Sequence, residues 1–309
     1  MTGAQVTVVI PTRNRRRQLS DALRSALSQT GPAVEVVVVD EASTDGTKEL
    51  LDRLQDRRLT VRRHDRARGV AAARNSALDT ARTEWIAFLD DDDVWAPDWL
   101  STALTAAANR AAGLVYGSCS LIDERRRLVG THRAVAPATA QDRLSSDNVI
   151  GGPSAVVIRT ETLRDAGGFD ERLSALADWD AWLRLRRLTT FAVVDEPKVG
   201  YTVHRGNMHV AQPFRVLAEF RRLRALAAER GDGTLDEAAF ARWLAYENAA
   251  YGRRGRAALL YAHSRRVSHS ARDVRSALGA LAHRPRSPSR PLRDGPAWLN
   301  AFRDPHEPA

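Results

Sequence analysis

Four consecutive carboxylates, Asp90 to Asp93, follow the apolar run Trp85–Leu89. Side by side they repel one another, and each needs compensation. In an extended chain, side chains two apart share a side. Asp90 and Asp92 are therefore expected to converge on one point. Hard oxygen ligands suit Mg²⁺ or Mn²⁺, and Mg²⁺ commonly joins one or two carboxylates to substrate phosphates. The plainer alternative is a solvated acidic turn ahead of the helix expected from about Pro97, where carboxylates favour a helix N-terminus. A second carboxylate, Asp40, ends the apolar run Val34–Val39. Asp178 and Asp180 open a segment holding Trp179, Trp182 and Leu183. A carboxylate there serves either as a general base or as a helix cap.

The elements that must position these acids alternate. Val6–Ile10 and Val34–Val39 read as strands, the second too apolar to alternate, as in a sheet buried on both faces. Leu19, Ala22, Leu23, Ala26 and Leu27 recur at helical spacing. Further helices are expected over roughly 44–56, 69–82, 96–112 and 178–188. Strands are expected at Leu59–Arg63, Trp85–Leu89, Leu114–Ser118 and Phe191–Val194. Such alternation predicts an α/β fold with a mostly parallel sheet, helices on both faces, and ligands at the carboxyl ends of strands. Asp40 and Asp90 lie at such ends. Glycines in Gly151-Gly152-Pro153-Ser154 let backbone approach a ligand closely.

The pattern divides at about 211/212. Residues 1–211 form the α/β part, 212–283 are expected as helices only, and 284–309 as a Pro/Arg-rich flexible tail. Net charge is +9, and residues 211–309 carry +8 of it. That basic region suits an anionic partner or a solvated face. The tail shows no nucleic-acid motif with aromatic interleaving, so no specific nucleic-acid partner is expected. The single cysteine, Cys119, excludes an internal disulfide and a cysteine zinc cluster. No apolar stretch reaches the ~18 residues of a membrane helix. The N-terminus has no basic region ahead of its short apolar run, so no signal peptide is expected. These features predict a cytoplasmic protein, with peripheral contact to an anionic membrane through the arginines of 253–293 as a further expectation.

The ordered set "VTVVIPTRNR", "EVVVVDEASTDGT", "RGVAAARNSAL", "WIAFLDDDDVWAPDWL", "AGGFDERL", "ADWDAWLRL" and "YTVHRGN" resembles the family-2 glycosyltransferases, inverting enzymes of the GT-A fold. The resemblance covers roughly residues 5–210 and omits the helical region. It implies a Rossmann-like catalytic domain that binds a nucleotide-diphosphate sugar, with UDP-sugar the leading donor, and uses Mn²⁺ or Mg²⁺. It implies that Pro11, Thr12 and Asn14 border the nucleobase and ribose, and that Asp40 accepts from a uracil-type N–H. Arg68 and Asn75, the latter beside Arg74, complete the nucleotide pocket. Asp90 and Asp92 stand for the family's DxD motif, with Asp92 on the metal and Asp90 and Asp91 toward the donor. His204 stands where a further metal ligand often occurs. Asp178 stands for the catalytic base, with Asp180 as the fallback. Its usual acidic neighbour is Ala177 here, and where relatives often have a second Asp this chain has Glu41.

The acceptor is open: glycan, lipid-linked intermediate, small molecule or peptide. The alternative function is a weakly active or inactive glycosyltransferase-like binding protein recruited by its basic tail; Ala177 favours it. A nucleotidyltransferase ranks lower, because Pro11-Thr12-Arg13-Asn14 has no glycine for a phosphate loop. Residues 212–283 are expected to pack on the catalytic domain, cover part of the acceptor cleft, or form a homodimer face.

Overall fold

The computed structural model describes residues 5–268 and 295–303. Strand and helix alternate through β1 (Val6–Thr12), α1 (Arg16–Leu27), β2 (Val34–Asp40), α2 (Thr47–Arg53), β3 (Leu59–Arg63), α3 (Val70–Leu78) and β4 (Trp85–Phe88). A two-residue strand, β5 (Val94–Trp95), then leads into α4 (Trp99–Arg110) and β6 (Leu114–Ile122). Next come β7 (Leu128–His132), α5 (Pro137–Arg143), β8 (Val156–Arg159), α6 (Thr160–Asp165), α7 (Ala177–Leu185) and β9 (Phe191–Thr202). The chain continues as helices: α8 (Met208–Ala211), α9 (Pro213–Glu229), α10 (Glu237–Ala250) and α11 (Arg254–Ser268). Residues 269–283 of the expected helical region, and most of the basic 253–293 stretch, lie outside the described residues.

One sheet runs β3-β2-β1-β4-β8-β6-β9-β5, with β7 added to β6. The β3-β2-β1-β4 half is parallel, as the alternation predicts. Beyond β4 the sheet is mixed: β8 runs antiparallel to both β4 and β6, while β9 is parallel to β6. In β2, Val36 and Val38 face one core and Val37 and Val39 the other, so both faces are covered. One core takes Leu19 and Leu23 of α1 with Trp99 and Leu100 of α4. The other takes Ala73 of α3, Trp182 of α7 and Phe220 of α9. Because Thr12 pairs with Asp40 and Asp40 with Arg63, the carboxyl ends of three strands align on one edge.

Two expectations change. The strand expected to stop at Val194 continues to Thr202, because Asp195-Glu196-Pro197-Lys198 fall where the β6–β9 register shifts between Gly117 and Cys119, after which pairing resumes. The helices after residue 212 share a core with the sheet: Phe220, Phe240, Leu244 and Leu260 join the cluster containing Phe88 and Trp182. Finally, within the tail expected to be flexible, residues 297–302 form a 3-10 helix. Its Leu299 is fully buried against Val94 and Ile122, with Trp298 and Phe302 beside it. Those three apolar residues supply what the surrounding Pro and Arg cannot, a surface worth burying.

Candidate active site

The aligned strand ends open onto a cleft of about 430 Å³. The strands contribute Pro11, Thr12 and Glu41, and the turn after β4 contributes Asp90, Asp91 and Asp92. Gly69 and Arg74 come from α3 and its approach, and Ser174, Leu176 and Asp178 from the start of α7. The helical region adds Met208, His209, Val216 and Trp243, so it builds part of the wall.

The four aspartates are not extended. The amide of Asp93 donates to the carbonyl of Asp90 (3.0 Å), closing a tight turn. The two-residue alternation rule of an extended chain therefore does not apply here. The acids are compensated by different partners, with Arg15 shared by Asp91 and Asp92. Asp90 accepts from Arg74 Nη2 (2.6 Å), a guanidinium that is itself buried, and its amide donates to Ser154 Oγ (3.0 Å). Asp91 accepts from Thr12 Oγ1 (2.7 Å) and Arg15 Nη1 (3.1 Å). Burial pushes its carboxyl up to about 7 against the pull of Arg15, with Asp92 and Asp90 adding repulsion. Asp92 accepts from the same Arg15 nitrogen and from His204 Nε2 (3.1 Å). Burial opposes its ionisation, but the His204 hydrogen bond and the Arg15 charge hold it below the usual range. Asp93 is buried and accepts from the Thr202 amide (2.8 Å), while its Oδ2 lacks a partner among the described residues. Burial, then the charges of Asp92 and Asp90, push it well above the usual range.

Arg15 thus holds the charge that a cation would neutralise. Asp92 suits a divalent ion: its side chain reaches the cleft, and its carbonyl is fixed by Arg126 Nη1 (2.7 Å) and the Thr202 hydroxyl. Among the described residues no trio of His, Cys, Asp and Glu is grouped for a metal. One carboxylate with diphosphate oxygens and water is a usual set for Mg²⁺. His204 fits less directly. The Gly206 amide donates to its Nδ1 (3.0 Å), which leaves Nε2 as the protonated nitrogen facing Asp92. Ligation through Nε2 requires the proton to move to Nδ1 and the Gly206 contact to open.

Asp178 faces the same cleft, its Oδ1 accepting from the Trp179 amide (2.7 Å). Burial pushes its carboxyl up to about 7, with Arg74 pulling down and Asp90 pushing up. A base poised near neutrality is what general-base chemistry uses. Asp180, by contrast, is fully buried and held by Arg184 and Arg230, each at 2.7 Å. Trp179 is core, with its indole N–H on the Leu144 carbonyl (2.8 Å).

Other expected residues stand beside the cleft rather than in its wall. Asp40 accepts from the Ser43 amide (3.0 Å), and Arg63 lies 3.9 Å away. Asn14 accepts from the Thr44 amide (2.7 Å). Asn75 clasps Phe169 by both backbone groups, at 2.8 and 2.9 Å. That clasp needs Gly168, whose φ is +67 and where a Cβ would lie 2.7 Å from Asn75 Oδ1. Arg68 lies in a neighbouring recess, 3.6 Å from Glu171. The cleft instead takes Glu41, which accepts from the Arg68 and Gly69 amides (2.6 Å each) and contacts His64 Nδ1. Sequence alone does not single out Arg15, gives Glu41 no role, and names no individual cleft residue in the helical region. Arg15 sits in a run of arginines with nothing local to single it out, and Trp243 reaches the cleft only through tertiary packing.

Known proteins share this sequence pattern and fold. The model of glycosyl transferase family 2 matches residues 7–165, just over half of the chain. The putative teichuronic acid biosynthesis glycosyltransferase TuaG of Bacillus subtilis is 30% identical over 159 residues, 51% of this chain and 63% of TuaG. The matched stretch thus spans less than two thirds of that relative. The crystal structure of S. aureus TarS 1-349 in complex with UDP-GlcNAc superposes with a TM-score of 0.61 at 22% identity, covering 90% of this chain and 80% of that 1-349 chain. Mannosyltransferase PcManGT from Pyrobaculum calidifontis, in complex with GDP-Man and Mn²⁺, gives a TM-score of 0.59 at 23% identity, covering 97% and 86%. The chain belongs to the family-2 glycosyltransferases and has their GT-A-type α/β fold.

Proposed function

We propose that this protein is an inverting glycosyltransferase that moves a sugar from a nucleotide-diphosphate sugar, UDP-sugar first, to an acceptor hydroxyl. The observation that carries the reading is the meeting in one cleft of the acidic turn and Asp178, with its carboxyl near 7. The acceptor oxygen attacks the anomeric carbon while the bond to the diphosphate oxygen breaks. The nucleoside diphosphate leaves with that electron pair, and Asp178 takes the hydroxyl proton. Thr12 and Glu41 lie at the donor end, and Arg15 and Arg74 face the negative charge of a diphosphate. Asp92 would hold Mn²⁺ or Mg²⁺, with His204 orienting that carboxylate or joining it after its tautomer changes. A bound divalent ion supplies charge stabilisation to the departing diphosphate. The Mn²⁺ beside GDP-Man in PcManGT and the UDP-GlcNAc in TarS support this donor chemistry.

The test is thermal unfolding with UDP, dTDP or GDP, in Mn²⁺ or in EDTA, on wild type and Asp92→Ala. A ligand at about 100 times its Kd adds about 2.7 kcal/mol, or roughly 5–10 °C at about 2–4 °C per kcal/mol. The expected result is a metal-dependent shift with one nucleotide, lost in Asp92→Ala. No shift with any nucleotide would sink the proposal.

A further inference from the structure

Beside the cleft lies a second recess of about 390 Å³. Gly69 and Ser174 line both, so the two adjoin. We propose that this recess binds a phosphate group carried by the acceptor, an inference that rests on the glycosyltransferase reading above.

The argument begins with α9. Arg215 and Arg222 are seven residues apart, two turns of one helix face and about 10 Å along the axis. Ala218 lies between them, and its small side chain leaves room over which both guanidiniums can close on one anion. Both arginines are exposed, and among the described residues neither has a carboxylate within ion-pair distance. Arg215 donates only to Gln212 Oε1 (3.2 Å), and Arg222 only to the Arg172 carbonyl (3.1 Å). Arg68 stands across the recess, loosely paired with Glu171 at 3.6 Å. Paired cations without a protein counter-charge, in a concave site, fit a phosphate ester.

Glu219 sits on the same face and would oppose an anion, but its oxygens are already used. They accept from the Ser174 amide (2.7 Å), the Ser174 hydroxyl (2.9 Å) and the Leu176 amide (2.8 Å). Those bonds tie α9 to the loop that ends in Asp178. The same helix therefore holds the loop of the proposed base and presents the two free guanidiniums. A phosphate seated there would lie against that loop and direct the rest of the acceptor toward the cleft. A lipid headgroup and a soluble ester present the same phosphate, so the recognising chemistry is shared.

The test uses the full chain and the double variant Arg215→Ser/Arg222→Ser, both saturated with UDP and Mg²⁺ so that the donor site is filled. Glycerol 3-phosphate is titrated calorimetrically, and flotation with phosphatidylglycerol vesicles runs in parallel. The expected result is phosphate binding by wild type, weakened at least tenfold in the double variant, with UDP affinity unchanged within twofold. Vesicle binding lost in the variant assigns a headgroup; phosphate binding without vesicle binding assigns a soluble ester. Both outcomes support the recess. Absence of both in wild type, or equal behaviour of the two proteins in both arms, overturns it. Failure of UDP itself to bind would instead count against the donor reading, and glycerol 3-phosphate binding without nucleotide would then judge the recess alone.

Discussion

Asp178 shows how one residue is tuned by where it lies. Its carboxyl stands near 7 because burial outweighs the attraction of Arg74. The proposed base must be ionised, so kcat/KM is expected to rise with pH through an acid limb centred near 7. Asp178→Asn should lower transfer by about 10²–10⁴-fold, the usual worth of general-base catalysis. Its effect on stability has the opposite sign. An ordinary Asp ionises near 4 when unfolded, and this one holds its proton to about 7 when folded. The folded state therefore binds more protons between those values. Asp178 contributes stability fully below about pH 4, and that contribution is lost as pH rises through 7. At pH 8 the Asn variant is expected to melt no lower than wild type; a lower Tm there would mean that Asp178 is a structural anchor. Legibility at this scale was uneven. Asp178 and the acidic run stood out by type and context, whereas the partners of those acids did not. Arg74 lies 16 residues from Asp90, and Arg15 lies 77 from Asp92, contacts that no local pattern encodes.

At the scale of elements, the C-terminal helices carry more than their position outside the family match suggests. Phe220 of α9 stacks on Phe240 of α10 (4.1 Å between centroids) and meets Trp179 of α7 at 5.6 Å. Since α7 carries Asp178, these rings connect the helical region to the proposed base. Phe220→Ala should cost about 3–5 kcal/mol, measured by chemical denaturation. A cost below about 1 kcal/mol would show that the helices do not share the catalytic core. The helices were legible from periodicity, and Leu217, Phe220 and Leu223 read as one face. What that face packs against was not, because amphipathicity gives a direction and no address.

At the scale of the whole molecule, residues 295–303 close the structure behind the acidic turn. Leu299 packs on Val94, one residue beyond Asp93, and Arg24 of α1 lies over the Phe302 ring at 4.7 Å. Removing residues 295–309 should lower Tm and weaken nucleotide binding together, because β5 would lose a packing partner beside Asp92 and Asp93. Unchanged values for both would show the contact to be incidental. Composition predicted a flexible tail here, and Trp298, Leu299 and Phe302 are the local exception that the average hid.

The sequence by itself determined the alternating strands and helices, the buried parallel half of the sheet, and the acids at strand ends. Those follow from local rules: β-branched runs, helical periodicity, and carboxylates where a run stops. Only the tertiary structure decided that Asp90 to Asp93 form a turn, that Glu41 rather than Asp40 lines the cleft, and that α8 to α10 wall it. Each of these depends on which distant groups a fold brings within hydrogen-bonding reach. Four crowded charges settle by pairing with Arg15, Arg74 and His204 or by burial that raises the carboxyl, and only the folded chain decides which acid does which.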